Sequence, residues 1–353
     1  VSRQSGWAGR IEAGLGRLWW QPRPSALAQC LRPLAWCFGA VSALRRAGFS
    51  FGLLRAQATP VPVLVVGNLV AGGAGKTPTV IALVQALRAA GWSPGVISRG
   101  HGRTAAHLLE VTPRSTAQAV GDEPLLIRLR CGVPVFVARR RIDAAQALCA
   151  AHPQVDVLLA DDGLQHLQLQ RQAQVIVIDE RGIGNGLLLP AGPLRQRLPK
   201  RAPPHTQVLY NASRPTTALA GSVVQRVLAG AVLLGDWWDG QAASVATLHA
   251  LRGRPLLAAA GIASPQRFFD MLRDEGLVFQ ELPLPDHHNF NTLPWRADTP
   301  HVLVTEKDAV KLPPQLTSAT RVWVVTLDFH LPAPFVAAVL ADLGRPERTT
   351  PRP

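Results

Sequence analysis

The stretch that most constrains the fold is Val61 to Thr79, VPVLVVGNLVAGGAGKTPT. Its apolar, β-branched start (Val61, Val63, Leu64, Val65, Val66) predicts a buried strand of a parallel sheet. The strand runs into Gly72, Gly73 and Gly75, then Lys76-Thr77. A helix is predicted from about Pro78 to Ala90, with Val80, Leu83, Val84 and Leu87 at the three-to-four spacing of one apolar face. Strand, glycine loop, Lys-Thr and helix in that order are the context of a phosphate-binding loop. Glycines let backbone N–H groups surround phosphate oxygens, and the helix N-terminus adds partial positive charge. The candidate cradle is Val70, Ala71, Gly72, Gly73, Ala74, Gly75, Lys76 and Thr77, with Lys76 on the β- and γ-phosphates and the Thr77 hydroxyl on Mg²⁺. The strict spacing G-x-x-x-x-G-K-[ST] would put Gly where Val70 stands. The ATPase variant K-G-G-x-G-K-T would put Lys where Ala71 stands, which lowers that alternative.

At 353 residues the chain predicts two domains, and 47% hydrophobic content is ample for their cores. A formal charge of +14 calls for an anionic partner: nucleic acid, an anionic membrane surface or a phosphorylated substrate. No RNA-binding signature, zinc finger or long basic tract supports nucleic acid. Cys30, Cys37, Cys131 and Cys149 form no C-x-x-C pair and are expected as buried thiols rather than disulfides. The run Leu34 to Leu44 is too short to span a bilayer, which takes about 20 apolar residues. Residues 1–23 mix Arg3, Arg10, Arg17 and Arg23 with Trp7, Trp19 and Trp20, and Ser25 to Phe49 carries a helical apolar pattern ending in Arg45-Arg46. Residues 1–50 are therefore expected to form an amphipathic segment at a membrane interface.

Further strands are expected at Ser93–Ser98, Val133–Ala138, Val155–Ala160 and Gln174–Asp179. The loop Arg99-Gly100-His101-Gly102-Arg103 suits an anion. Asp122, in Gly121-Asp122-Glu123-Pro124, is placed to cap a helix. Arg139-Arg140-Arg141 opens another helix, against the dipole, which an external anion or simple solvation would each explain. Val155–Ala160 ends in Asp161-Asp162-Gly163, and acid at the end of a strand in this context holds Mg²⁺ directly or through water. A nucleotide-binding domain over 51–205 is expected to close in the Gly- and Pro-rich loop before residue 206. A second α/β domain over 206–343 follows, carrying Asp286-His287-His288, then a disordered tail, 344–353. The fold class is α/β: a P-loop NTPase-like, mostly parallel sheet with helices on both faces, plus a smaller α/β domain.

With these pieces in order, the chain resembles the tetraacyldisaccharide 4'-kinase family, the lipid A 4'-kinases of Gram-negative bacteria, over about residues 25 to 340. The likeness rests on the phosphate-loop stretch, VISRGHGR, GDEP, LADDGLQH, RGIGNGLLLPAGPLR, AAGIASPQRFF, LPDHHNF and VTEKDAVKL. The family's loop also lacks the first glycine, so Val70 is no departure, whereas His101 stands where the family usually has Tyr. The resemblance implies ATP- and Mg²⁺-dependent phosphorylation of the 4'-hydroxyl of an anionic, acylated disaccharide 1-phosphate, giving lipid IVA at the cytoplasmic face of the inner membrane. It implies Asp122 of GDEP as the base and His287 of the DHH motif as its partner; on the phosphate-loop reading Lys76 holds phosphate and Thr77 with Asp161 or Asp162 places Mg²⁺. The choice of His287 over His288 rests on the family alone. No obligate protein partner is evident in the sequence. Two other readings compete. A switch GTPase would read guanine through a motif such as NKxD, for which Thr305-Glu306-Lys307-Asp308 is the nearest candidate; a membrane scaffold would leave the acidic and glycine loops unexplained.

Overall fold

The computed structural model describes residue 16 and residues 18–317 and 320–344. The basic positions Arg3, Arg10 and Arg17, together with Trp7 and most of the tail 344–353, lie outside the described residues. In chain order the strands are β1 (Val63–Gly67), β2 (Pro94–Ser98), β3 (Leu109–Glu110), β4 (Val135–Val137), β5 (Val157–Asp161), β6 (Ala173–Asp179) and β7 (Thr206–Asn211). They continue as β8 (Ser222–Val223), β9 (Gln225–Leu233), β10 (Leu256–Ala260), β11 (Gln280–Pro283), β12 (His301–Thr305) and β13 (Arg321–His330). The chain is built of two compact units. One takes residues 1–76, 162–224 and 332–345; the other takes 77–161, 225–331 and 346–353.

The first unit holds β1, β6, β7 and β8 as a parallel run in that order. Val63 to Val66 are wholly buried, which is why this strand is apolar at every position rather than at alternate ones. Helix Ala333–Leu343 packs against β6 and β7 through Phe335, Val339 and Leu343. The N-terminal helix expected over Ser25–Phe49 is two helices, Ala26–Cys30 and Arg32–Ser50. Ser25 caps the first by accepting the N–H of Ala28, and Pro33, which has no N–H to donate, sits in the first turn of the second. Apolar side chains of this pair are left open: Leu27, Leu34, Val41 and Leu44 are exposed, as is Trp36 on another side of the second helix. Cys30 and Cys37 lie exposed too, so the expected burial of these thiols is corrected; Cys131 is buried and Cys149 half-buried, and all four are free. No helix among the described residues is long and apolar enough to cross a membrane.

The second unit carries β2, β4 and β5 in parallel, with β3 antiparallel on the edge of β4. Its other sheet runs β11-β10-β12-β13-β9, parallel except for β9. Helix Pro265–Asp274 buries Phe268, Phe269 and Leu272, which its period brings to one face, in the core of this sheet. The α/β class, a mostly parallel sheet with a second sheet beside it in the chain, is the one the sequence predicts.

Candidate active site

The phosphate-loop region is assembled in the first unit up to Lys76. Gly72 and Gly75 have φ of 90° and 89°, and nothing lies within 4 Å of the position a Cβ would take on Gly72. Backbone there faces open space, as a cradle for an anion requires. The start of the loop is used differently. Val70 is buried and bridges Leu194, Ala71 N–H donates to the carbonyl of Pro193 (2.8 Å), and Arg195 N–H to that of Leu69 (2.8 Å). Val70 therefore belongs to a short antiparallel pairing, which asks for an ordinary β residue and explains the missing glycine. The carbonyls of the loop face inward: Asn211 Nδ2 donates to that of Ala74 (3.1 Å), and Arg181 donates to that of Gly73 while pairing with Asp179 and stacking on Trp20.

Lys76 is buried, with Nζ 3.3 Å from Asn68 Oδ1 and 3.5 Å from Asp162 Oδ1. Arg195 Nη1 donates to both oxygens of Asp162 at 3.1 Å. Of the adjacent aspartates, Asp162 thus belongs to an ion cluster around Lys76.

In the second unit, Thr77 continues the helix Lys76–Ala89 and is buried. Asp161 ends β5, 1% exposed, with Ser98 Oγ donating to its Oδ2 (3.4 Å). Its backbone carbonyl accepts from Nε and Nη2 of the buried Arg141 at 3.3 and 2.9 Å. Arg141 therefore fixes the end of β5, and Arg140 pairs with Asp143 (3.6 Å). Arg103 likewise donates to the carbonyls of His107 and Val137. The run of like charges conceals the use of Arg141, because the carbonyl that receives it lies 20 positions on. Among the described residues no group of three or more His, Cys, Asp and Glu is arranged to hold a metal on its own.

The GDEP and DHH motifs also meet within the second unit. Asp122 is not the helix cap. It is the first residue of helix Asp122–Cys131; the cap position is Gly121, at φ 95°, where a Cβ would lie 3.1 Å from Gly100. Only glycine takes that conformation in that space, and it turns Asp122 inward. The carboxylate is 6% exposed. Its Oδ1 accepts the N–H of Glu123 (2.9 Å), and its Oδ2 lies 2.8 Å from His287 Nδ1. Burial pushes its pKa up, but the His287 hydrogen bond and the charges of Lys307, His287 and Lys311 outweigh burial and hold it at about 2. His287 is raised in turn, by the Asp122 hydrogen bond against burial and the Lys307 charge. His287 sits at φ 58°, in the left-handed region, which aims its ring at Asp122. His288 points elsewhere, edge-on to Phe290 with ring centroids 4.7 Å apart. His101 lies beside the pair, its ring centroid 5.8 Å from that of His287.

A buried parallel strand, an open glycine turn, Lys-Thr at a helix start and a strand that ends in aspartate define the P-loop NTPase-like class. The protein-family model described as tetraacyldisaccharide-1-P 4'-kinase matches residues 27–344. A tetraacyldisaccharide 4'-kinase of Leptothrix cholodnii is 55% identical over 344 residues, 96% of this chain and 98% of that one. That of Methylibium petroleiphilum is 54% identical over 334 residues, 93% of each. A crystal structure of LpxK from Aquifex aeolicus in complex with ATP superposes with a TM-score of 0.73 at 22% identity, covering 90% of this chain and all of the other. The chain belongs to the tetraacyldisaccharide-1-P 4'-kinase family.

Proposed function

We propose that the protein transfers the γ-phosphoryl group of ATP to the 4'-hydroxyl of a tetraacyldisaccharide 1-phosphate, giving lipid IVA, the 1,4'-bisphosphorylated precursor of lipid A. The observation that carries the mechanism is the buried, ionised Asp122 hydrogen-bonded to His287 at 2.8 Å. The bond that forms joins the acceptor oxygen to Pγ; the bond that breaks is Pγ–O to the β-phosphate, and ADP leaves with that oxygen. The hydroxyl proton goes to Asp122, which is deprotonated at neutral pH and keeps lone pairs beyond its two hydrogen bonds. His287 orients the carboxylate. Residues 72–77 would cradle the phosphates and Lys76 would neutralise charge on the γ-group.

The residues at hand also fit Mg²⁺. Asp161 and Thr77 are buried hard-oxygen donors at a strand end and a helix start. Asp161 or Asp162 would hold the ion with Thr77; the carboxylate of Asp162 is also paired with Arg195 and Lys76. Bound Mg²⁺ would neutralise the phosphate oxygens.

The substrate is a lipid, and the exposed apolar face of the N-terminal helix pair, followed by Arg45 and Arg46, would seat the protein on the cytoplasmic face of the inner membrane. The test is transfer of labelled γ-phosphate from Mg²⁺-ATP to tetraacyldisaccharide 1-phosphate in mixed micelles. Asp122→Asn is expected to cut turnover roughly 10²–10⁴-fold with ATP affinity largely kept. Near-normal turnover in that variant removes Asp122 from the role of base; ATP hydrolysis without labelled lipid removes the kinase assignment.

A further inference from the structure

The segment Thr305-Glu306-Lys307-Asp308 has a use that its likeness to a guanine-reading motif conceals. Thr305 caps a short helix by accepting the N–H of Asp308 on Oγ1 (3.2 Å). Glu306 turns into the core: its carboxylate takes Arg130 Nη1 at 2.8 and 2.7 Å and Trp237 Nε1 at 3.3 Å. Asp308 is wholly buried and accepts from Gly261 N–H (2.9 Å), Thr305 Oγ1 (2.7 Å) and Lys311 Nζ (3.0 Å). An aspartate so engaged is not offered to a base. With the residues on both sides locked, the direction of Lys307 is fixed. Its Nζ lies 3.2 Å from Glu123 Oε1, 3.3 Å from Asp286 Oδ1 and 3.3 Å from His287 Nε2.

An ammonium group has three donors and no acceptor. Three acceptors surround this one, so His287 Nε2 accepts a hydrogen bond from Lys307 rather than carrying a proton of its own. The imidazole proton is left on Nδ1, pointing at Asp122 Oδ2. We propose that Lys307 is a positioning residue: it selects the Nδ1–H tautomer of His287 and restrains its further protonation, so that Asp122 remains the group that takes the acceptor proton. The proposal rests on the assignment of Asp122 as base.

The groups that face His287 are Asp122, Asp286 (3.9 Å from Nε2), Lys307 and the His101 ring. Glu123 bears on it through Lys307, and Lys311 acts on Asp122. The carboxylates favour imidazolium; Lys307 opposes it. Without that opposition His287 would stay cationic to higher pH, and a full positive charge on Nδ1–H would make Asp122 a still weaker base.

Lys307→Met is therefore expected to move the acid limb of the kcat profile up by about one pH unit. Turnover falls roughly tenfold on that limb and recovers in alkali, while KM for ATP stays put. Lys307→Arg keeps a cationic donor and is expected to return the limb toward its wild-type position. The ¹⁵N resonances of labelled histidine report the tautomer without any lipid substrate, so they stay informative if the kinase assignment itself fails. The neutral His287 of the wild-type protein should show a protonated Nδ1 and a bare Nε2. A protonated Nε2 in the wild type overturns the proposal whether or not the variants fold. So does a Lys307→Met enzyme with an unmoved acid limb, including one in which only KM for the lipid rises, since Lys307 would then contact substrate.

Discussion

Asp122 and His287, the pair proposed to handle the acceptor proton, are also a stability element. The Asp122 carboxylate titrates near 2 in the folded protein, against about 3.9 for a free aspartate, so its share of stability is present above that ordinary value and lost as pH falls toward 2. His287 is shifted the other way; its share is complete below about 6.5 and is lost as pH rises through its folded value. The stability difference between the wild type and His287→Ala should accordingly be largest between about pH 4 and about pH 6.5, and urea titrations across that range check it. A difference that is flat with pH would mean that packing, not charge, carries the contact. The residue types of this pair stood out in the sequence, but their meeting did not, because 165 positions separate them. Nor could the sequence distinguish His287 from His288; the left-handed turn at His287 does that. Lys307 was legible only as part of a familiar-looking tetrad, since its partners Glu123, at a helix start, and Asp286, in a loop, are remote in sequence.

At the scale of elements, apolar period was the informative signal. The buried strands β1, β5 and β6 and the helix Lys76–Ala89 lie within a residue or two of where their patterns place them. The two-residue strands β3 and β8 and the five-residue helices Leu234–Trp238 and Val245–His249 are too short to carry a period, and nothing local announced them. Elements are also joined by a polar cluster that no period reveals. Arg130, near the end of helix Asp122–Cys131, donates to Glu306 and to Asp328 on β13. This one guanidinium ties the helix that presents Asp122 to the turn that presents Lys307. Arg130→Met leaves the buried Glu306 carboxylate without its cation and should cost about 3–5 kcal/mol, read as a lower urea midpoint at unchanged slope. A loss below about 1 kcal/mol would mean that the cluster relaxes onto water or another donor.

At the scale of the whole molecule, the sequence conveyed class and charge, while the division of the chain into compact units is a matter of long-range contact. Each unit draws on separated stretches, and a local pattern cannot say which stretches those are. The excess of basic residues does make a prediction at this scale. Leu34→Ser/Phe38→Ser/Val41→Ser should lower partition onto anionic vesicles by tenfold or more, at about 0.8 kcal/mol per CH₂ no longer buried. Raising salt should weaken what remains, because the other contribution is the attraction of a +14 chain to an acidic surface. Unchanged sedimentation of a folded triple variant with vesicles would remove the helix pair from membrane docking.

The ion cluster around Asp162 bears on how tightly a nucleotide can be held. Lys76 does not wait as a bare cation; it already rests against Asp162 and Asn68, and Asp162 is shared with Arg195. On the proposed role of Lys76, the arrival of a phosphate would be an exchange of anions there, with Arg195 placed to retain the displaced carboxylate. Both sides of such an exchange contain a paired lysine, so much of the Coulombic gain cancels. Selectivity is then left to what a carboxylate cannot offer: several oxygens placed at once against the N–H groups of the glycine turn.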